Sequence, residues 1–410
     1  MPFHTHRLLN GLQIIGETIP SARSAAVGFF VKTGSRDESA DVAGVSHFLE
    51  HMLFKGTPRR SALDVNLDFD RIGANYNAYT SEENTVYYAA VLPEFLPAVV
   101  DILADILRPS LRTEDFDTEK QVILEEIKMY EDAPGSMAWD HAKRIYFADH
   151  PLGNTILGSM ESVSALTRDQ MKAYYDRRYV APNIVVTAAG NFDWPAFVKL
   201  IDGACGHWPT GTVGRDHLRE TVGAGGVHAI AKENTTQQNV LVLSSGPPAE
   251  SPLRYAASVL TMAVGDDTGS RLYWELVDPG LVESAGCGTD TSQGCGMTAT
   301  SFSCDPEQGA ENLAIVQRIL ADVQRDGITA EELTQAKNKV ASRIVRGAER
   351  PMGRLRSIAA SWIYCDEYSD VDQEMARFDA VDLAAIRSYL DKYPIDAATV
   401  VGYGPLAKLG

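Results

Sequence analysis

The chain has 410 residues, 45% of them hydrophobic and 22% charged, with a formal net charge of −18. This length suits two or three domains, each with its own apolar core, and no apolar run approaches the roughly 18 to 20 residues needed to cross a bilayer, so no membrane partner is expected. So acidic a chain repels polyanions over long range, which argues against nucleic acid as a partner, and its surface would attract basic peptides.

The opening MPFHTHRLLNGLQIIGETIP has no basic segment followed by an apolar one, and it is not an Arg- and Ser-rich, acid-poor stretch. The chain is therefore expected to start in its mature form. Apolar residues at 25–32 (AAVGFFVK) predict a strand, 42–54 a helix, and 85–92 (TVYYAAVL) a second strand. Helices are predicted near 93–107, 114–130 and 168–177, and an apolar strand at 183–189 (NIVVTAA) ends at Gly190. Pro209, Gly211, Gly214, Gly223, Gly225 and Gly226 give the next stretch the composition of a linker. The order then repeats: a strand at 238–244 (QNVLVLS), a helix at 252–264, a long helix starting at Thr329 as the earlier one starts at Thr113, a helix at 383–389 and a strand at 398–402. The two halves are offset by about 215 residues, the mark of a repeated unit. The expected division is 1–210, a Gly-rich linker over 211–227, and 228–410. Cys205, Cys287, Cys295, Cys304 and Cys365 form no C-x-x-C pair and are odd in number. That usage points away from a disulfide framework or a thiolate zinc site and towards a reducing cytoplasm.

The segment 44–56 reads GVSHFLEHMLFKG. Val45, Phe48, Leu49, Met52 and Leu53 recur at the spacing of one buried helix face, with Asp41 expected as N-cap and Gly56 as stop. At about 100° per residue, His47, Glu50 and His51 share the opposite side. Two imidazoles one turn apart can grip one metal ion, and Glu50 beside them can reach a water on that metal without being a ligand. Zinc brings the pKa of such a water near 7, and a carboxylate base completes its activation for attack on a peptide carbonyl. H-x-x-E-H is the inverted form of the H-E-x-x-H zinc motif.

A catalytic zinc takes three protein ligands and keeps one position open. The helix over 113–130 (TEDFDTEKQVILEEIKMY) is the best source of the third. Glu119 and Glu126 are seven apart and lie on one face, with Glu125 turned away by about 100°. Glu126 is assigned as the ligand and Glu119 as a supporting carboxylate in the catalytic site. His141 and His150 are rival ligands by chemistry and are read as surface or packing residues.

These segments resemble a known family. HFLEHMLFKGT (47–57), NAYTSEENTVYYA (77–89) and EKQVILEEIKMYEDAP (119–134) are similar to the M16 metallopeptidases, and within them to the mitochondrial processing peptidase β subunit and its bacterial relatives. The resemblance is dense over residues 8 to 195 and thinner beyond. It implies His47, His51 and Glu126 as ligands of one Zn²⁺ per chain, Glu50 as base and Glu119 as the first glutamate of the family's E-x₆-E pair. Mn²⁺ or Co²⁺ would also suit such a donor set. It implies that Asn77, Ala78, Tyr79 and Thr80 bind substrate, in a segment next to the edge strand that takes it up in extended form. The implied fold is α+β: two similar halves, each a mostly antiparallel sheet packed with helices, related by internal duplication. The first half would be the catalytic domain and the second a homologous domain without metal. The implied activity is endopeptidase cleavage of short or unfolded peptides inside a clamshell chamber, closed by two chains as a homodimer or heterodimer. Relatives carry an arginine and a tyrosine after S-R-L-F in the second half. Here Val277 or Asp278 stands near the first and Glu283 at the second. Two further readings follow from that departure: a scaffold subunit with little activity, or the metal-bearing chain of an obligate heterodimer. In the second half, Ala336 and Arg343 fall where Glu119 and Glu126 would fall.

Overall fold

A strand can be apolar at every position only if its sheet is covered on both faces. The computed structural model describes residues 2–215 and 223–409, and in it the strand at Ala25–Val31 is buried throughout. In chain order the first half runs β1 (Phe3–Arg7), β2 (Gln13–Thr18), β3 (Ala25–Val31), α1 (Val45–Leu53), α2 (Ala62–Arg71), β4 (Asn75–Thr80), β5 (Thr85–Val91), α3 (Leu96–Ile106), α4 (Thr113–Glu131), α5 (Pro134–Phe147), α6 (Met160–Ala165), α7 (Arg168–Arg178), β6 (Ile184–Gly190) and α8 (Trp194–Cys205). The second half runs β7 (Gly226–Ala231), β8 (Gln238–Gly246), α9 (Leu253–Gly265), β9 (Ser284–Ser292), β10 (Cys295–Cys304), α10 (Gly309–Asp326), α11 (Ala330–Ala348), α12 (Pro351–Cys365), α13 (Val371–Asp379), α14 (Leu383–Lys392) and β11 (Thr399–Gly404).

The fold is α+β with two sheets, and their topology carries the duplication. One sheet has the order β1-β2-β6-β3-β5-β4 and the other β7-β11-β8-β10-β9. In the first, β2 runs parallel to β6, and every other pair is antiparallel. In the second, β7 runs parallel to β11 and the rest are antiparallel. Strand for strand, β2, β6, β3, β5 and β4 match β7, β11, β8, β10 and β9.

The described residues form two units. One comprises 2–128, 154–215 and 346–370; the other comprises 129–153, 223–345 and 371–409. In the first unit, Ala25, Val27, Phe29 and Val31 face a core shared with α1 and α3. Ala26 and Phe30 face the other way, onto Leu355, Ile358 and Ala359 of α12. This helix comes late in the chain yet lies against β2, β3 and β6. Arg354 ties it down: buried with Glu17 of β2, it donates from Nε at 2.9 Å and again from Nη2, while the Tyr368 hydroxyl donates to the same carboxylate. In the second unit α5 does the matching work, packing Ala138, Ala142 and Tyr146 against Leu241, Leu243 and Val401. Residues 129–153 of the span 1–210 thus belong to the second unit, and 346–370 of the span 228–410 to the first. The cause is the apolar faces of α5 and α12, each covering a sheet that its own half leaves open. Of the linker expected over 211–227, residues 216–222 lie outside the described residues, and Gly226 already opens β7. No helix among the described residues is long and apolar enough to cross a membrane.

Candidate metal and active site

The site is built on α1. Val45, Phe48, Leu49, Met52 and Leu53 are buried in the first unit's core, which turns His47, Glu50 and His51 to the opposite face. The helix does not begin at Asp41. That residue lies in a separate 3-10 turn at Ala40–Val42, and Gly44, at φ +92°, reverses the chain before the helix starts. Only glycine adopts that conformation without strain. The cap is Glu38, which sequence reasoning missed. Its carboxylate accepts the Gly44 and Ser46 amides, each at 2.7 Å, satisfying donors that the first helical turn leaves free. Burial pushes the Glu38 carboxyl up to about 7, against the opposing pull of those two amides.

His47, His51 and Glu126 come together. One ligand atom from each lies within 4.8 Å of the others, the one such group of potential metal-binding residues among the described residues. His47 Nε2 is 3.8 Å from Glu126 Oε1, and His51 Nε2 is 3.6 Å from Glu126 Oε2. These separations are too long for hydrogen bonds. They are close to the edge of about 3.3 Å that a tetrahedron of 2.0–2.1 Å metal bonds would have. The donor set, two imidazoles and a carboxylate, is one that zinc accepts. The state of the His47 ring suits it too. Burial, reinforced by the neighbouring His51, pushes His47 down to about 3, so its imidazole is neutral with a lone pair to give, and its buried Nδ1 has no hydrogen-bond partner.

Glu119 is not among the converging ligand atoms. Its Oε1 takes His51 Nδ1 at 2.9 Å and its Oε2 takes Lys55 Nζ at 2.6 Å, which fixes the His51 ring with Nε2 towards Glu126. Burial raises the Glu119 carboxyl, but His51 and Lys55 outweigh it and hold it below its ordinary range. Burial lowers His51; the Glu119 hydrogen bond and the charges of Glu126 and Glu50 outweigh it, and the net shift is upward. Glu50 is pushed up by burial, with the Thr80 hydrogen bond and His51 pulling the other way. Thr80 Oγ1 donates to Glu50 Oε2 at 2.7 Å.

Thr80 closes β4, whose other predicted residues are Asn77, Ala78 and Tyr79. β4 pairs with β5 on one side and is the last strand of its sheet. Asn75, Asn77 and Tyr79 are exposed, while Tyr76, Ala78 and Thr80 are half-buried on the α1 side. The two rival histidines are elsewhere, in the second unit: His141 stacks on Tyr403, and His150 Nδ1 accepts the Leu152 amide.

Two family models match the chain, one described as insulinase (peptidase family M16) over residues 13–160 and one as the peptidase M16 inactive domain over 165–340. An uncharacterized zinc protease of Streptomyces coelicolor is 35% identical over 407 residues, covering 96% of this chain and 88% of that protein. One of Mycobacterium leprae is 34% identical over 392 residues, covering 93% and 87%. The chain belongs to peptidase family M16. The mitochondrial-processing peptidase subunit beta of Saccharomyces cerevisiae is 42% identical over 206 residues, half of this M16 chain and 45% of that protein. A protease from Helicobacter pylori shares the fold, with a TM-score of 0.93 at 20% identity over 98% of this chain and 99% of that one. Relatives bearing the name zinc protease make zinc the metal to test, and the triad's chemistry agrees.

In this M16 protein the second unit has taken another course. Asp266, which ends α9, is held by Lys339 at 2.8 Å and by Arg343, both from α11. Arg343 stands in the repeat where Glu126 stands, so fixed protein cations tie α9 to α11. Arg271, six residues before Val277, is engaged by Glu332 at 2.6 and 2.8 Å. Val277 ends a π-helical turn at Tyr273–Val277, and the Glu283 amide is bonded to the Ser303 carbonyl.

Proposed function

We propose that this M16 protein is a zinc-dependent endopeptidase that hydrolyses short or unfolded peptides bound in extended form. The convergence of His47, His51 and Glu126 beside the half-buried Glu50 carries this reading. Zinc held by those three side chains supplies a Lewis acid that makes water acidic and polarises a carbonyl. Glu119 accepts the Nδ1 proton of His51 and so presents the Nε2 lone pair. Thr80 occupies Glu50 Oε2, leaving Oε1 to take a proton from the attacking water and to pass it to the departing amine nitrogen. The open side of β4 offers main-chain hydrogen bonds to a peptide, which selects extended backbone before side chain.

The proposal includes one metal per chain, with Mn²⁺ or Co²⁺ as acceptable substitutes, a homodimer or a heterodimer with a similar chain, and a cytoplasmic location that suits five free cysteines. Replacing Glu50→Gln is expected to leave zinc bound while peptide cleavage falls by about 100-fold to 10,000-fold, the range of general-base catalysis. Zinc content and cleavage of a quenched fluorogenic peptide measure the two together. Wild-type turnover in that variant would remove Glu50 from the base role. Val277, Asp278 and Glu283, where relatives carry the arginine and tyrosine, favour a second reading in which a partner chain supplies those groups or activity is low. A second, similar-sized chain co-purifying with this one and raising its turnover would support it.

A further inference from the structure

The open row of β4 has a built neighbourhood on the face away from the metal. Side chains alternate along a strand, so Asn75, Asn77 and Tyr79 point opposite to Thr80 and Glu50. Their cross-strand partners share that face: Tyr88 stands opposite Asn77, and Val86 opposite Tyr79. Over β2, β3 and β6 this face is covered by α12, but the β4 row stays exposed. Tyr79 and Tyr88 meet edge to face with ring centroids 6.2 Å apart. Arg356 of α12 lies over the Tyr88 ring at 5.1 Å and donates from Nη2 to the Tyr88 hydroxyl at 3.0 Å. Its charge also reaches Tyr79, where it opposes the upward push of burial on the phenol. Among the described residues Arg356 forms no ion pair with a carboxylate, although the chain's net charge is −18. An exposed guanidinium, stacked on one tyrosine and beside a second, is thus left with donors to give.

We propose that Tyr79, Tyr88 and Arg356 form a side-chain subsite that selects an acidic residue in the bound peptide. The assignment rests on the reading that substrate adds to the edge of β4. A strand added there sends every second side chain to the Tyr79 face, and the intervening ones to the α1 face. A glutamate or aspartate on the Tyr79 face reaches the Arg356 guanidinium with its stem against the aromatic rings, which hold the planar fork ready for a carboxylate. The subsite therefore sets specificity with alternate parity about the cleaved bond.

The test is a zinc-loaded, full-length protein and a set of quenched fluorogenic peptides carrying Asp, Asn or Lys at each position on either side of one cleaved bond. At positions of one parity, kcat/KM for Asp should exceed that for Asn by about fivefold, the scale of an exposed ion pair. Arg356→Glu should reverse the order to favour Lys at those positions, Arg356→Lys should keep the acidic preference, and the ranking at the intervening positions should stay the same. Arg356 is exposed, and matching thermal melts would show that the variants fold. Equal cleavage of Asp and Asn peptides at every position, or an Arg356→Glu profile identical to wild type, overturns the subsite while leaving the peptidase reading intact. Zinc-loaded protein that cleaves no peptide of the set overturns the peptidase reading, and the subsite with it.

Discussion

His47 and His51 are one turn apart on one helix, yet their surroundings assign them different tasks. His47 is buried, neutral and unpartnered at Nδ1, whereas His51 is aimed by Glu119, itself held from behind by Lys55. A carboxylate that orients a ligating imidazole also raises its basicity. Replacing Glu119→Ala is therefore expected to weaken zinc binding by about 10-fold to 100-fold without removing a ligand. Competition against a chelator of known affinity measures this, and an unchanged affinity would show that packing alone orients the ring. The placement of these side chains follows from two periodicities visible in the sequence: the apolar stripe of 45–53, and the seven-residue spacing of Glu119 and Glu126. Lys55 and Thr80 as the partners of Glu119 and Glu50 were not visible, because each contact joins elements that only the fold brings together.

At the scale of the element, α1 depends on a cap that no local rule locates. Asp41 has the residue type and position of an N-cap. The left-handed turn at Gly44 separates it from the helix, and Glu38 reaches over that turn to the Gly44 and Ser46 amides. The carboxyl is raised by burial to about 7, so the folded state holds its proton more tightly than the unfolded chain does. Its contribution to stability is fully present below about 4.5 and is lost as pH rises through about 7. The difference in melting temperature between wild type and Glu38→Gln should accordingly shift against wild type from pH 5 to pH 8. Melts at the two pH values that give the same difference would contradict a raised carboxyl at this cap. Strands β3, β5, β6, β8 and β11 were legible as apolar runs, since burial on both faces leaves no polar alternation. Strand β4 was not legible as a strand, for Asn75–Thr80 is half exposed and polar, and the resemblance put 77–80 only beside an edge strand.

For the whole molecule, duplication was readable in the recurring order of strands and helices, but the exchange of helices was not. An amphipathic helix announces that it has an apolar face, not which sheet that face will cover. Arg354 records the outcome for α12, pairing with Glu17 at the start of the chain. Arg354→Met would leave Glu17 buried without its cation, and a loss of about 3–5 kcal/mol is expected. Adding Glu17→Leu should recover most of it, because an apolar pair of similar volume has no charge to desolvate. Urea unfolding of the full chain gives the comparison, and a single variant with the wild-type midpoint would mean that α12 is held by its apolar face alone. The second unit repeats the architecture while Asp266, Lys339 and Arg343 join its two helices by charge, which leaves the first unit's triad as the place for the metal.

X-ray absorption at the zinc edge, on protein loaded with one equivalent of zinc, addresses that triad most directly. The account predicts a first shell of nitrogen and oxygen at about 2.0–2.1 Å, with two imidazole scattering patterns and no sulfur. It also predicts loss of one imidazole pattern in His51→Ala. A sulfur shell, or a zinc environment that His51→Ala leaves unchanged, would contradict the assignment of His47, His51 and Glu126 as the metal site.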